Sequence, residues 1–392
     1  MNENTHMGLL PTGLADILPP EAEFEAQITE ILMASFAQYG YERVKPPLIE
    51  FEDILLSGSG IKMAKQTFRM MDPISQRMLG VRADMTLQIA RIASTRLGDM
   101  PRPIRLSYAG QVLRVKGSNL RPKRQFGQIG IEVIGSLSPQ ADAEIILMAA
   151  EALSNLGIAN LSVDLCLPTL IPAIWESLKI DSTTMVNKLL VALDHKDVPA
   201  IEVLEKGLGK KTHNIFSSLV KAVGPVDKAL ETLKKINLPK KAAAELNKLS
   251  DIIICLKDRA PNLTITIDPV ETRGYEYHTG VTFTFFALNV RGEIGRGGRY
   301  LVNDVNRDKV PETATGASLY VDTILRALPT PKKRDRVLIS SSKPEVALKL
   351  RKDGWITVEH FNENKLNNRA QAKKFDCTHF WNGKKIVPVE NS

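Results

Sequence analysis

The chain is poor in the features that mark secreted, metal-bound or membrane-embedded proteins. Its 392 residues hold three cysteines, Cys166, Cys255 and Cys377, far apart and with no CxxC pair. That spacing suggests neither a disulfide framework nor a zinc site. The six histidines show no HExxH or HxxxH repeat, so no metal centre and no cofactor is expected. No apolar run approaches the length of a membrane span. The start, Met1 to Leu10, lacks the charged-then-apolar pattern of a secretory signal, so a cytoplasmic protein without a membrane partner is the expectation. Acids are in deficit, 44 against 52 Lys and Arg, for a net charge of +8. A surplus of that sign invites a nucleic-acid reading. Its distribution weakens the invitation. Residues 332–392 hold 14 Lys/Arg against 7 Asp/Glu, a net of +7, so of the total +8 only +1 falls on the other 331 residues. The length, with 43% hydrophobic residues, allows a large core and two to three domains.

The most informative stretch runs from Arg105 to Gly135. Leu106, Tyr108 and Gly110 alternate with Ser107, Ala109 and Gln111, and a second apolar–polar alternation passes through Ile129, Ile131, Val133 and Gly135. Period two on both sides of a polar middle predicts an antiparallel strand pair joined by a long loop. Five cations lie in that middle: Arg114, Lys116, Arg121, Lys123 and Arg124. Gln128, Gly130 and Glu132 are two apart, so they share one face of the sheet. They make a poor core and a suitable floor for a polar ligand, with the glycine giving room and the acid able to take an ammonium. On periodicity alone the stretch also reads as a hairpin with a solvated polar face and a basic loop.

The rest of the chain alternates in character. Pro19-Pro20 with Glu21 and Glu23 opens a helix whose stripe is Phe24, Ile28, Ile31, Leu32, Phe36 and Tyr39, stopped by Gly40. A strand follows, ending at Pro46-Pro47. Leu55 to Gly60 reads as a small flexible loop, and Phe68–Asp72 with Met78–Arg82 as a hairpin. Asp84 then caps an amphipathic helix through Leu87, Ala90 and Ile92. Asp142 to Leu156 is helical, and Leu161 to Leu167 alternates as a strand. Thr169 to Pro261 is helical nearly throughout, about five helices, with lysines scattered among acids as on solvated faces. Strand character returns at Thr264–Asp268. In Arg296-Gly297-Gly298-Arg299-Tyr300, two glycines on a strand mean close approach by a ligand or another element. After Pro329 and Pro331 the tail reads β-α-β (336–339, 345–352, 355–360), then a helix near Arg369–Lys374 and a strand pair through Phe380 and Ile386.

Arg114, the basic loop and Arg124-Gln125-Phe126-Gly127-Gln128-Ile129-Gly130-Ile131-Glu132-Val133-Ile134-Gly135 resemble motif 2 of class II aminoacyl-tRNA synthetases, in the form that histidyl-tRNA synthetases carry. The opening helix and the strand to Pro47 resemble motif 1, which in that family builds the dimer interface. Without a second copy, the stripe of Phe24, Ile28, Ile31 and Phe36 is then expected to stay partly exposed. Arg82-Ala83-Asp84-Met85-Thr86 is similar to the family's Arg-Pro-Glu-Gly-Thr, whose acid and Thr contact the amino acid's ammonium. Arg273-Gly274-Tyr275-Glu276-Tyr277-His278 resembles the histidine-specific Arg-Gly-Leu-Asp-Tyr-Tyr. There Arg273 would lie by the substrate carboxylate, and His278 would fall at the ring position that senses imidazole, though a His at a strand end is as often structural. At motif 3 the family's Gly-Phe-x-x-Gly-x-Glu-Arg-Leu is altered: its second glycine is Tyr320, its Glu is Asp322 and its ATP-clamping arginine is Thr323. The motif 2 Glu two positions after Arg114 is Lys116.

The resemblance spans about residues 9–330 and implies an α+β fold: a class II synthetase-like antiparallel sheet core flanked by helices, with a helical insertion and a small C-terminal α/β domain. The corresponding domains are 1–168 with 262–330 for the core, 169–261 for the insertion and 331–392 for the tail. The implied histidine-binding set is Asp84, Thr86, Arg114, Gln128, Glu132, Arg273, Tyr277, His278 and Tyr300. With that half of the site kept and the ATP half altered, the sequence resembles the regulatory subunits of ATP phosphoribosyltransferase, the first enzyme of histidine biosynthesis. The resemblance implies no catalysis of its own, a short-form catalytic subunit as partner, a homodimer within a hetero-octamer, feedback by L-histidine, and no tRNA partner. Two alternatives stay open. One is a divergent active histidyl-tRNA synthetase, which requires another arginine in place of Thr323. The other is a synthetase-like RNA-binding or kinase-regulating module, which only the basic tail supports.

Overall fold

The computed structural model describes residues 9–57, 63–118, 120–178, 183–204, 209–271, 278–302, 310–331, 334–361 and 369–389. By its internal contacts the chain divides into two compact units, Met1–Pro329 and Thr330–Ser392.

In the larger unit the first strands are β1 (Glu42–Arg43), β2 (Ile49–Phe51), β3 (Arg69–Met71) and β4 (Met78–Val81). The predicted long hairpin follows as β5 (Ile104–Leu113) and β6 (Gln125–Ile134). Then come β7 (Leu161–Cys166), β8 (Gly224–Pro225), β9 (Thr264–Asp268), β10 (His278–Ala287), β11 (Gly295–Val302) and β12 (Glu312–Tyr320). Nine of these form one sheet in the order β1-β5-β6-β12-β11-β10-β7-β9-β8, and β2, β4 and β3 form a small second sheet. The large sheet is antiparallel through its centre. Two pairings are parallel, β1 with β5 and β7 with β9. Of the strand expected to end at Pro47 only β1 forms, joining the large sheet, and β2, after Pro47, joins the small one.

The period of two sorts the residues of β6 as expected. Ile129, Ile131 and Val133 face the main hydrophobic core with helices α1 (Glu21–Gln38) and α4 (Pro139–Asn155). Phe126 and the even positions face the other side, where α3 (Thr86–Thr95) packs. The covered face of α3 is Ile89 and Ala93 with Gln88. Leu87, Ala90 and Ile92, the stripe expected from the sequence, are only half-buried. Helix α4 begins three residues before the predicted Asp142. Ser138 caps it by accepting from the Gln140 backbone N–H, and Pro139 fills the first turn. Leu55 is not part of a free loop. It closes the short helix α2 (Glu52–Leu55) and is buried.

Two expectations concern the helices. Ile28, Leu32, Met33 and Phe36 of α1 are buried within the single chain. Phe24 is half-buried and Ile31 is 51% exposed, so the stripe is partly exposed in the single chain, as expected. The segment 169–261 contains six helices among the described residues, Leu170–Leu178, Thr183–Asp194, Val198–Val203, Lys210–Lys221, Val226–Lys234 and Lys240–Arg259. Its strand β8 joins the large sheet beside β9. Leu189, Phe216 and Leu249 of this segment share one core with Val163, Ile267 and Phe283 of the sheet.

The smaller unit is a four-stranded sheet, β13 (Arg336–Ser340), β14 (Ile356–His360), β15 (His379–Trp381) and β16 (Ile386–Pro388), ordered β14-β13-β15-β16. Val337 and Ile339 pack under the helix Pro344–Lys352, and Leu338 packs on the other side against Ala372 of the helix Arg369–Lys374. A helix on each face is what two right-handed crossovers in opposite directions produce.

Helix α4 is pinned to the sheet by Arg299. Its guanidinium meets the buried Asp142 carboxylate at 2.6 Å and donates to the carbonyls of Ser136 and Ser138 and to the Thr313 hydroxyl. Burial outweighs the arginine and leaves the Asp142 pKa above the usual carboxylate value. Arg299→Ala would strand that carboxyl, a loss that costs about 3–5 kcal/mol for buried pairs. The Arg43–Glu30 pair is exposed on both sides, and Arg43→Ala should cost under about 1 kcal/mol. Denaturant unfolding of the two variants checks the contrast, and equal losses would refute it.

Candidate ligand-binding site

The even face of β6 meets β12 and β11 side by side. Glu132 lies across from Gly316, Gly130 from Ser318, and Gln128 from Tyr320. On β11, Gly298 lies across from Gly316 and Arg296 from Ser318. Small residues in the middle of three strands leave a depression. It is a cavity of about 30 Å³, lined by Asp84, Thr86, Glu132, His278, Arg296, Tyr300, Ser318 and Tyr320 with the strand glycines. That is room for a water molecule or two. A ligand the size of an amino acid enters only when lining side chains move.

One hydrogen-bond network runs through the cavity wall. The Asp84 carboxylate accepts from the Thr86 backbone N–H at 2.8 Å and from the Gln128 amide at 3.2 Å. The same amide group donates to the Ser318 hydroxyl at 2.7 Å, while the Gln128 carbonyl accepts from the Met85 N–H. Tyr108 is the hub. Its hydroxyl donates to Glu132 at 3.1 Å and lies 3.1 Å from the Thr86 hydroxyl and 3.3 Å from that of Ser318. Tyr300 donates to the other oxygen of Glu132 at 3.0 Å. Asp84, Thr86, Gln128, Glu132 and Tyr300, expected from three separate stretches of sequence, thus meet in one place, with His278 on the strand beside Tyr300.

Other expected residues fall elsewhere. Arg114 does not line the cavity. It donates to the Ala83 carbonyl at 3.3 Å, and its guanidinium lies 5.1 Å from the Phe126 ring centre. Arg273 and Tyr277 lie outside the described residues. The room at Gly130 is not left for a ligand. A Cβ there would stand 2.1 Å from the Tyr108 ring, which lies across the strand pair. At Gly316 a Cβ would meet the Glu132 carboxyl, and at Gly297 the Phe283 ring and the Gly316 carbonyl. The close approach inferred from the glycines is made by the protein's own side chains.

Sequence reasoning missed Tyr108, Ser318 and Arg296. Arg296 carried a usable signal, since it is four residues before Tyr300 on one strand and so shares its face. Ser318 and Tyr108 carried none beyond an even position on a strand. Their role depends on which strand pairs with which.

Beside the cavity, the ring of Tyr320 is buried under Arg121, whose guanidinium stands 3.7 Å from the ring centre and 4.9 Å from that of Phe126. Arg121 is itself 7% exposed and lies 3.4 Å from Asp322. Thr323 is fully buried, its hydroxyl accepting from Arg121 at 3.4 Å and from Arg326 at 3.1 Å. Where the resembling motif has a glycine and an arginine, this chain has a phenol ring and a threonine, with Arg121 folded over both. A larger groove of about 520 Å³ lies elsewhere, near Glu151, Arg259 and Asn262, and takes in none of the expected residues. Among the described residues no group of His, Cys, Asp and Glu could hold a metal ion, and no helix is long and apolar enough to cross a membrane.

Full burial pushes the Glu132 pKa up from 4.5 to about 8, against the lowering effect of its two tyrosine donors. Between those two pH values the native chain holds a proton that the unfolded chain has released, so stability falls as pH rises through the window. The slope from this one group is at most about 1.4 kcal/mol per pH unit. Glu132→Gln removes it. Unfolding free energies measured from pH 5 to 8 should fall less steeply for the variant than for the parent, and parallel curves would show that Glu132 titrates normally.

The histidyl-tRNA synthetase family model matches residues 13–324. A protein of Paramagnetospirillum magneticum named ATP phosphoribosyltransferase regulatory subunit is 49% identical over all of both chains. A namesake from Rhodospirillum centenum is 47% identical over 98% of this chain and 97% of its own. Among solved structures, one from Bacillus halodurans described as an ATP phosphoribosyltransferase regulatory subunit/histidyl-tRNA synthetase superposes with a TM-score of 0.80 at 22% identity, covering 94% of this chain and 96% of that one. The histidyl-tRNA synthetase of Nostoc sp. PCC 7120 gives 0.77 at 20% identity, over 95% and 90%. At those identities the two structures speak for the fold, a class II synthetase-like core. The chain belongs to the histidyl-tRNA synthetase-like family and, within it, to the ATP phosphoribosyltransferase regulatory subunits.

Proposed function

We propose that this chain is a non-catalytic regulatory subunit of ATP phosphoribosyltransferase that senses L-histidine. The observation that carries the reading is the contrast inside one site. The polar network from Asp84 to Tyr300 is continuous, whereas the neighbouring slot is filled by Tyr320 and Arg121. Preorganised cations on developing phosphate charge are each commonly worth about 10²–10³ in rate. Thr323 supplies none. Arg121 and Arg326 both reach Thr323, which is the one observation that favours a divergent synthetase. Arg121, however, is committed to Tyr320 and lies against Asp322.

In this reading a short-form catalytic subunit is the partner, and the chain assembles as a homodimer inside a hetero-oligomer. The ammonium of histidine would lie among Asp84, Thr86 and Gln128, with Glu132 as the buried acceptor. A sensor must bind its ligand with different affinity in two states, since equal affinity shifts nothing. Tyr320 supports a route, because it lines the cavity on one side and carries Arg121 of the basic loop on the other. tRNA is not a partner in this reading.

Three measurements test it. Histidine-dependent ATP–pyrophosphate exchange should be absent, and exchange at synthetase-like rates would falsify the reading. Calorimetry should show L-histidine binding to the chain, weakened roughly tenfold or more in Asp84→Asn, as for loss of a hydrogen bond to a charged group worth about 1.5–3 kcal/mol. In the complex reconstituted with a short-form catalytic subunit, histidine should inhibit phosphoribosyl transfer. Asp84→Asn should move the inhibition curve to higher histidine without disassembling the complex. An unmoved curve would place the feedback site on the partner.

A further inference from the structure

Arg296 has no counterpart among the residues expected to bind the ligand, yet it lines the cavity. Among the described lining residues it is the only one with a guanidinium or ammonium group. It is half-buried, and β11 places it directly across from Ser318, one strand away. Adjacent strands are about 4.8 Å apart. Ser318 is the residue whose hydroxyl accepts from the Gln128 amide, and that amide also holds Asp84. The end of the cavity suited to an ammonium therefore adjoins Arg296.

The chemistry of an α-amino acid fits that juxtaposition. Its ammonium nitrogen and carboxylate carbon hang on one carbon, about 2.5 Å apart. A ligand whose ammonium is held by Asp84 and Gln128 must place its carboxylate within a strand's width of them. Asp84, on that side of the cavity, would repel a carboxylate. A guanidinium offers a planar fork that matches a carboxylate with two parallel hydrogen bonds. Resting on the amino-acid reading of this pocket, we infer that Arg296 is a specificity-determining residue that holds the ligand's α-carboxylate and so separates L-histidine from its decarboxylated analogue. The pocket then has carboxyls for the ammonium and ring and, besides the Arg273 expected from the sequence, the Arg296 guanidinium for the carboxylate.

The test uses the full chain, two ligands and two variants. L-Histidine and histamine share ammonium and imidazole and differ by the carboxylate. Calorimetric titration of the parent should show histidine bound at least tenfold more tightly than histamine. Arg296→Ala and the longer, uncharged Arg296→Gln should each lose that preference, with histidine weakened at least tenfold and histamine unchanged or tighter. Variants that weaken both ligands equally mark Arg296 as structural and overturn the inference. So does a parent that prefers histidine alongside variants that keep the preference, which leaves the amino-acid reading standing and moves the carboxylate contact elsewhere. A parent that binds neither ligand overturns the amino-acid reading and this inference with it.

Discussion

A carboxyl group buried in the middle of a sheet constrains everything around it. Glu132 is 1% exposed, and taking a charged carboxylate out of water costs several kcal/mol unless it is paired or protonated. The chain meets this cost in two ways. Burial raises the Glu132 pKa to about 8, so the group carries a proton through most of the physiological range. Two phenols approach its oxygens, Tyr108 from the neighbouring β5 and Tyr300 from β11, two strands away across β12. Both arrangements need space that only missing side chains provide. Tyr108 reaches in because Gly130 has no Cβ, and the carboxyl itself occupies the space above Gly316.

The same sheet separates two kinds of chemistry. On one side of Tyr320 lies the small polar cavity, whose described lining includes Asp84, Glu132 and Arg296. On the other side the chain covers its own aromatic surface with Arg121. A guanidinium stacked on Tyr320 and lying near Asp322 is already neutralised and desolvated. It cannot serve an incoming phosphate without leaving both. The space beside Tyr320 and Thr323 is packed protein, which holds Arg121 of the basic loop against the wall of the small polar cavity.

The sequence by itself determined the features that depend on neighbours along the chain. Alternation in Leu106–Gln111 and Ile129–Val133 assigned the two faces of β5 and β6, because successive side chains on a strand point to opposite sides. The hairpin at Phe68–Arg82 and the tail's β-α-β order were legible for the same reason. The motif residues Asp84, Thr86, Gln128, Glu132 and Tyr300 were legible from three stretches of sequence. Helix faces were read less well. Ile92 was expected inside and Ser138-Pro139 was overlooked, since a short helix's inner stripe is set by what it packs on. Only the tertiary structure decided the rest. Gln128 meets Ser318 across 190 residues of chain and Arg121 meets Thr323 across 202. Those distances are closed by strand register, which places Gly130 beside Tyr108 and Ser318 beside Arg296. Register emerges from the summed packing of the whole sheet, so no local pattern could announce that a glycine's space belongs to a tyrosine or that an arginine four positions before Tyr300 shares its pocket.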